Sequence, residues 1–280
     1  MSREDSPYST PESAFANDEA GFLPPTNPKK RDRFGFNQCF RDAKVALGAN
    51  VPLCVVSMLF AIGYYTVLGL LTLAAFLGTE SAELGMQGAS MWQTSVQTLL
   101  TLIMSPPLIY GLTKTYLGLL DGEGRFEDLF AGILHPIKSY SALFFPVTLM
   151  TLPNLIFGIA QTALMFEFRM DFVILIGLLN LLVTVFVLPR LMYAYPFAIE
   201  QELSTLESFK RGWALPRGQL VESLLLFLLV FALVIGGFML CFLPGLVSAP
   251  FAILAYLAVY RQKEGRPSPP NRSANSEPAW

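Results

Sequence analysis

Charged residues are scarce in this sequence. Only 14% of its 280 residues are Asp, Glu, Lys or Arg, whereas soluble domains carry about 25%. The net charge of −2 excludes a basic field that would attract nucleic acid. Hydrophobic residues make up 53% of the chain, and half of the 40 charged residues fall in residues 1–49 and 261–280. A sparsely charged middle between polar ends is typical of an integral membrane protein.

Residues with catalytic or metal-binding chemistry are equally few. His135 is the single histidine, and the three cysteines, Cys39, Cys54 and Cys241, form no CxxC pair. The sequence contains no HExxH motif, phosphate-binding glycine loop or Asp dyad, so we predict no enzyme activity, no metal and no cofactor. We also expect no cleavable signal peptide, because the first apolar stretch begins near residue 50 and is too long for one.

Long apolar runs, in contrast, are abundant. A helix needs roughly 20 mostly apolar residues to cross a bilayer. The runs that meet or approach this length lie at 52–77, 93–119, 140–165, 172–197, 219–241 and 244–261. They predict an all-α membrane protein with six transmembrane helices.

The distribution of basic residues favours the same number of spans. With six spans, sixteen Lys and Arg residues fall in segments on one side of the membrane and one falls on the other. Cytoplasmic segments carry the excess of basic residues in membrane proteins. The sequence therefore predicts that both termini are cytoplasmic.

Short sequence matches recur at a fixed spacing. The stretch "PPLIYG" (106–111) matches "PRLMYA" (189–194) without a gap. At the same offset, "FEDLF" (126–130) falls on "FKRGW" (209–213), which keeps an aromatic residue at both ends. Two matches at one offset indicate an internal repeat.

A looser third copy extends this repeat. "PFAILA" (250–255) also resembles the first stretch, and "FNQCF" (36–40) is a third aromatic pair. We predict three repeats, each with one amphipathic helix followed by two spans, at 34–120, 125–198 and 204–262. The flanking tails, residues 1–33 and 263–280, are polar and are predicted to be disordered.

Two segments between the spans are amphipathic. Residues 126–134 and 203–213 place their apolar side chains on one helical face. Ser204 and Glu207 have the spacing of a capping box, which would begin the second helix. Such helices lie in the membrane interface with their aromatic side toward lipid. In the functional interpretation these helices sense lipid or engage a partner. In the structural interpretation they only brace the bundle.

Two basic residues lie within the spans. Lys114 is about 10 Å from the middle of the second span at 1.5 Å per residue, and Arg190 is placed similarly in the fourth. They predict a contact for anionic lipid headgroups or a solute, or else they are anchors that reach the headgroups within an aromatic belt. The residues of this candidate site are Lys114, Arg190, Tyr110 and Tyr193, with Tyr116 and Tyr195 nearby.

Prolines within the spans are candidate helix kinks, because a proline frees a carbonyl group one turn earlier. These prolines are Pro106, Pro107, Pro189 and Pro250. Pro106, Pro189 and Pro250 occupy the same place in the three predicted copies of the repeat. Pro107 and Lys114 have no counterpart in the other copies, so a local function would be expected there.

The stretches "PLIYGLTKTYLGLLDGEGRFEDLFAGI" (107–133) and "CFLPGLVSAPFAILAYLAVYRQ" (241–262) carry a family resemblance. They resemble a broad group of uncharacterised bacterial integral membrane proteins related to the membrane domain of some glycerophosphodiester phosphodiesterases. The resemblance covers residues 34–262 and implies a multispan helical fold in a bacterial inner membrane. It implies no catalytic residue, because the sequence has no counterpart of the phosphodiesterase domain.

Two functions fit these features. The first is a non-enzymatic scaffold or lipid-interacting module that contacts membrane lipids, with a protein partner possible at the amphipathic helices or tails. The second is a transporter for a small or lipidic solute, in which the proline-containing spans move. A transporter predicts a water-accessible cavity between repeats that contains Asn154, Asn180 or Arg190, whereas a scaffold predicts a centre filled by apolar side chains.

Overall fold

The computed structural model describes residues 36–80, 86–166, 170–215, 220–240 and 242–264. Within these ranges 93% of the residues are helical and no strand is present, so the predicted all-α class is confirmed. The helices are α1 (Phe36–Ala49), α2 (Val51–Glu80), α3 (Met86–Leu120), α4 (Phe126–Leu129), α5 (Ala131–Leu134), α6 (Pro136–Phe166), α7 (Met170–Glu200), α8 (Thr205–Ala214), α9 (Leu220–Leu240) and α10 (Phe242–Lys263).

The predicted disordered tails lie outside the described residues, except for Lys263 at the end of α10 and Glu264 after it. Cys241 also lies outside the described residues. Six of the described helices are long and apolar enough to cross a membrane, namely α2, α3, α6, α7, α9 and α10. They coincide with the six predicted runs, and the largest difference is that α3 begins at Met86. The chain is therefore a multi-pass helical membrane protein.

The interfacial helices differ in detail from their predicted forms. The segment 126–134 is two short helices rather than one, because the chain bends at Phe130, which ends α4 and begins α5. Ser204 stands at the N-terminus of α8 as predicted, but its side chain makes no capping hydrogen bond. The predicted capping box is wrong, because Glu207 instead pairs with Arg211 one turn later, at 2.8 Å.

Three spans form the centre of the bundle. Helices α3, α7 and α10 contact one another, and α10 is the most buried of the six spans. Each interfacial helix packs on one central span: α1 on α10, α4 and α5 on α3, and α8 on α7. The remaining spans, α2, α6 and α9, pack on the outside of these three.

Consecutive spans run in opposite directions, so α3, α7 and α10 all end on the same side of the bundle. We call this side the cap end, because α1, α4, α5 and α8 lie there, and the other side the open end. Buried side chains concentrate at the cap end. In α7 they are confined to the stretch from Pro189 to Ile199, whereas the preceding residues of that helix are half-buried or exposed.

Candidate functional site

Aromatic side chains fill the centre of the cap end. Tyr193 of α7 stacks on Tyr256 of α10 with ring centroids 4.6 Å apart, and Phe197 meets Tyr260 edge-on at 5.0 Å. These four rings are buried, as is Tyr116 of α3. Aromatic pairs at these spacings stabilise the packing beyond the area that they bury. A packed aromatic core therefore joins α7 to α10.

One arginine connects the ends of all three central spans. Arg261 of α10 directs both terminal nitrogens at the carboxylate of Asp121, which follows α3, with Nη2 2.7 Å from Oδ2. The same Nη2 lies 3.1 Å from Oε1 of Glu200, the last residue of α7. Only 6% of Arg261 is exposed. Because a buried guanidinium is costly without paired carboxylates, this arrangement is stable only while the three spans converge.

A glycine turn places Asp121 in this cluster. Helix α3 ends at Leu120, and Gly122 adopts a φ of +76°, the left-handed conformation that favours glycine. The backbone N–H of Glu123 then donates to the carbonyl of Gly118 at 2.8 Å, which closes the end of the helix. The chain turns away immediately after Asp121, so its carboxylate stays beside the end of α10.

Polar contacts extend from this cluster to α8 and α9. The Gln201 amide donates to Glu264 at 3.1 Å and its oxygen accepts from Arg211 of α8 at 3.0 Å. The Lys263 ammonium donates to Ser223 of α9 at 3.0 Å. The end of α10 is thereby held to its neighbours by hydrogen bonds as well as by the Arg261 ion pairs.

Glycines let the interfacial helices touch the backbone of the central spans. A Cβ atom added at Gly132 of α5 would lie 1.9 Å from the carbonyl oxygen of Pro107 in α3. A Cβ atom at Gly212 of α8 would lie 2.6 Å from the backbone nitrogen of Ala194 in α7. Both distances are far shorter than a van der Waals contact. Larger residues at these two positions would push the interfacial helices away from the bundle.

The candidate kink residues all lie inside helices: Pro106 and Pro107 in α3, Pro189 in α7 and Pro250 in α10. Because Pro107 has no N–H, the carbonyl of Ile103 loses its partner within α3. The Tyr140 hydroxyl of α6 donates to that carbonyl. A neighbouring span therefore satisfies the group that the second proline frees, as membrane helices require.

The structure gives the two predicted basic residues different partners. The Lys114 ammonium lies 3.0 Å from Oδ1 of Asp128 in α4, with about half of its side chain exposed. The Arg190 guanidinium lies over the ring of Trp213 in α8, 4.7 Å from its centroid. Each cation thus contacts the interfacial helix that packs on its own span, Lys114 at α3 and Arg190 at α7.

The predicted tyrosines lie at different depths. Tyr110 of α3 is half-buried, whereas Tyr193 is fully buried against Tyr256. Tyr193 is therefore part of the core and does not face the headgroups. Of the two predicted tyrosines, Tyr110 alone keeps part of its side chain at the surface.

Groups with reactive or metal-binding chemistry are isolated. In the described part of the chain, no group of three or more His, Cys, Asp or Glu side chains is placed to hold a metal ion. His135 is exposed at the end of α5. Cys39 of α1 is buried, and burial, reinforced by Asp42, raises the pKa of its thiol to about 12. A thiol with this pKa remains protonated and is a poor nucleophile.

Sequence reasoning did not identify Asp121, Glu200 and Arg261 as a cluster. One signal was present: Glu200 follows Pro189, and Arg261 follows Pro250, at the same spacing, and both prolines belong to the predicted repeat. Opposite charges at equivalent positions of two copies would be brought together if the copies converge at one end.

Comparisons of the chain with protein-family models, with curated proteins and with solved structures found no match.

Proposed function

We propose that this chain is a non-enzymatic membrane protein that acts as a lipid-interacting scaffold, with the cap end as its functional surface. The observation that carries the proposal is the closure of the cap end by Arg261, which pairs with Asp121 and Glu200. A transporter that alternates between two states must separate its central spans. Here the ends of all three are held by one buried arginine above a packed aromatic core.

The surface of the cap end has the composition of a headgroup-binding face. Leu206 of α8 and Phe126 of α4 are more than half exposed, and Ile137 at the start of α6 is 85% exposed. Exposed basic residues, Lys138 and Lys210, lie close to them in the chain. Apolar side chains of this kind insert at the boundary between headgroups and acyl chains, and basic side chains attract anionic lipids.

Lys114 and Arg190 remain our candidate contacts for anionic headgroups. Lys114 is half exposed beside Asp128, and the guanidinium of Arg190 rests on Trp213 where α8 meets α7. We propose two separate contacts, one at each junction between an interfacial helix and a central span. Tyr110 would border the first of them, since it lies one turn before Lys114 on α3.

The orientation and the membrane are also proposals. The excess of basic residues in the segments at the cap end supports a cytoplasmic location for that end and for both termini. The resemblance of residues 34–262 to bacterial membrane proteins supports the bacterial inner membrane, and we propose kinship with the membrane domain of glycerophosphodiester phosphodiesterases on the same ground.

We propose that the three predicted repeats form a ring, in which each interfacial helix packs on the second span of the preceding repeat. The contacts of α4 and α5 with α3, of α8 with α7, and of α1 with α10 support this order. Equivalent residues also make equivalent contacts. A Cβ atom at Gly111 would meet the backbone of Leu129, and their counterparts one repeat later, Ala194 and Gly212, meet in the same way.

Transport is the alternative, and it has less support. Asn154 lines a cavity of about 30 Å³ between α6 and α7, together with Pro153 and Leu188. A cavity of this size holds about one water molecule. It lies between the two spans of a single proposed repeat, whereas the transporter hypothesis requires a cavity between repeats.

Lipid co-purification tests the proposed function. The full chain would be purified from membranes in mild detergent, and the ratio of anionic to zwitterionic phospholipid would be measured by mass spectrometry. We expect the triple variant Lys114→Ala, Arg190→Ala and Lys210→Ala to lower that ratio at least threefold relative to the unmodified chain. Glu202→Gln is the control, because it removes an exposed charge of opposite sign at the same end. An unchanged ratio in the triple variant would contradict the proposal.

A further inference from the structure

A crevice opens between α2 and α3 near the open end of the bundle. Its volume is about 320 Å³, and its walls include Gly69, Thr72 and Leu73 of α2 and Gln93 and Gln97 of α3. Two of its wall residues on α2, Tyr65 and Leu73, are themselves about half exposed. The crevice is therefore reached from the hydrocarbon side of the bilayer, and it lies at the opposite end from the Arg261 cluster.

The crevice begins near the headgroups and extends into the leaflet. The apolar runs of α2 and α3 reach the open end at residues 77 and 93. At 1.5 Å per residue, Gln93 lies at that boundary, Gln97 about 6 Å inside it and Gly69 about 12 Å inside it. Half of a hydrocarbon core measures about 15 Å. The crevice thus covers the depth of the ester groups and the upper acyl chain of one leaflet.

Gln93 and Gln97 supply the hydrogen-bond donors of the crevice. They are one turn apart on α3, so their side chains lie on the same face. Among the described residues neither side-chain amide has a hydrogen-bond partner, whereas the Thr72 hydroxyl bonds its own helix at Leu68. An amide without a partner is costly in hydrocarbon, and each glutamine offers two N–H donors.

Among the residues that the structure describes, no charged side chain lines the crevice. Its occupant must therefore offer neutral hydrogen-bond acceptors just below the headgroup level, joined to an apolar tail that fits beside Gly69 and Leu73. The ester carbonyls and acyl chain of a diacyl phospholipid have this arrangement, and such lipids surround the protein.

We propose that the crevice binds one acyl chain of a diacyl phospholipid from the leaflet at the open end, with the ester carbonyls accepting hydrogen bonds from Gln93 and Gln97. Recognition depends on the ester groups and not on the headgroup charge. Because this site is separate from the cap end, a result that contradicts this proposal would not contradict the proposed function, and the reverse also holds.

A cavity-filling variant tests the proposal. A Cβ atom at Gly69 would meet no other atom within 4 Å, so a larger side chain can enter the crevice without displacing the backbone. The full chain would be equilibrated with synthetic diester phosphatidylcholine in detergent, and the bound lipid counted by native mass spectrometry. We expect Gly69→Leu to retain at least fivefold less lipid than the unmodified chain.

Two comparisons make the test decisive. Gly63→Leu is the matched control, because Gly63 is also on α2 with open space at its Cβ position but does not line the crevice. The diether analogue of the same lipid lacks the carbonyl oxygens. We expect it to be retained at least threefold less than the diester lipid, and we expect Gln93→Leu with Gln97→Leu to remove that difference.

Equal retention by Gly69→Leu and Gly63→Leu would overturn the proposal, as would equal retention of diester and diether lipid by the unmodified chain. A preference for phosphatidylglycerol over phosphatidylcholine that is lost in Gly69→Leu would also overturn it, since that result would mean recognition of headgroup charge. Because the glutamine variants leave the backbone of α2 unchanged, they test the site even if Gly69→Leu fails to fold.

Discussion

Arg261 and Glu200 occupy equivalent positions after Pro250 and Pro189 in the sequence, and their side chains meet at 3.1 Å at the cap end. The same guanidinium holds Asp121, so one residue of α10 joins the ends of α3 and α7. This pairing explains why the three central spans converge at the cap end.

Loss of the arginine should destabilise the bundle. Arg261→Gln leaves the carboxylates of Asp121 and Glu200 without their cation, and breaking a buried pair from one side costs about 3 kcal/mol. The free energy of unfolding would be measured by titration with SDS in mixed micelles, followed by circular dichroism. Lys138→Gln is the control, since Lys138 forms an exposed pair with Glu202 and its loss should change stability by less than about 0.5 kcal/mol. Equal effects of the two substitutions would show that Arg261 does not hold the spans together.

The junction between α5 and α3 should tolerate only glycine at position 132. Gly132→Ala places a methyl group against the backbone of Pro107, and overpacking of this kind costs about 2 kcal/mol or more. Gly63→Ala is the matched control, because its Cβ position is open and alanine favours the helix. The same SDS titration would compare them. A Gly132→Ala protein as stable as Gly63→Ala would mean that α5 does not pack on α3 as described.

The Tyr140 hydroxyl should stabilise the folded protein only while residue 107 is proline. Tyr140→Phe removes the donor to the Ile103 carbonyl and is expected to cost about 1 kcal/mol. In a Pro107→Ala background the N–H of residue 107 can bond that carbonyl, so the same substitution should cost much less. A double-mutant cycle measures this difference, which we expect to be about 0.5–1 kcal/mol. Additive effects would rule out the compensation of the second proline by α6.

The Cys39 thiol should react slowly. With a pKa of about 12, only about one thiol in 10⁴ is ionised at pH 8. A variant with Cys39 as its sole cysteine should therefore be labelled by a maleimide at least a hundredfold more slowly than one with Lys44→Cys as its sole cysteine, since Lys44 is exposed on the same helix. Similar rates in the folded protein would show that α1 does not pack Cys39 against the bundle.

The number and approximate positions of the spans could be predicted from the sequence because bilayer thickness sets the minimum length of an apolar run, whereas the ends of the helices differ by up to seven residues. The break at Phe130 could not, since residues 126–134 keep one apolar face and the bend arises from packing against α3. Glu207 likewise had the spacing of a capping residue, but Arg211 on the same helix face competed for its carboxylate.

The candidate site was predictable only in part. Lys114 and Arg190 stood out as charges within apolar runs, but their partners, Asp128 and Trp213, depend on where the interfacial helices pack. The Arg261 cluster joins residues up to 140 positions apart. Such a contact follows from the convergence of three helices, which no local pattern of spacing specifies.

We propose that α3, α7 and α10 form a packed centre that water does not enter. The reactivity of Leu254→Cys, a fully buried position on α10, toward a membrane-impermeant maleimide measures whether water reaches this centre. The full chain, with its own cysteines replaced by alanine, would be placed in nanodiscs so that both faces are accessible, and Lys210→Cys at the exposed cap end would set the reference rate. The scaffold predicts labelling of Leu254→Cys at least a hundredfold slower than that reference. Labelling within tenfold of the reference would contradict it and favour a transporter.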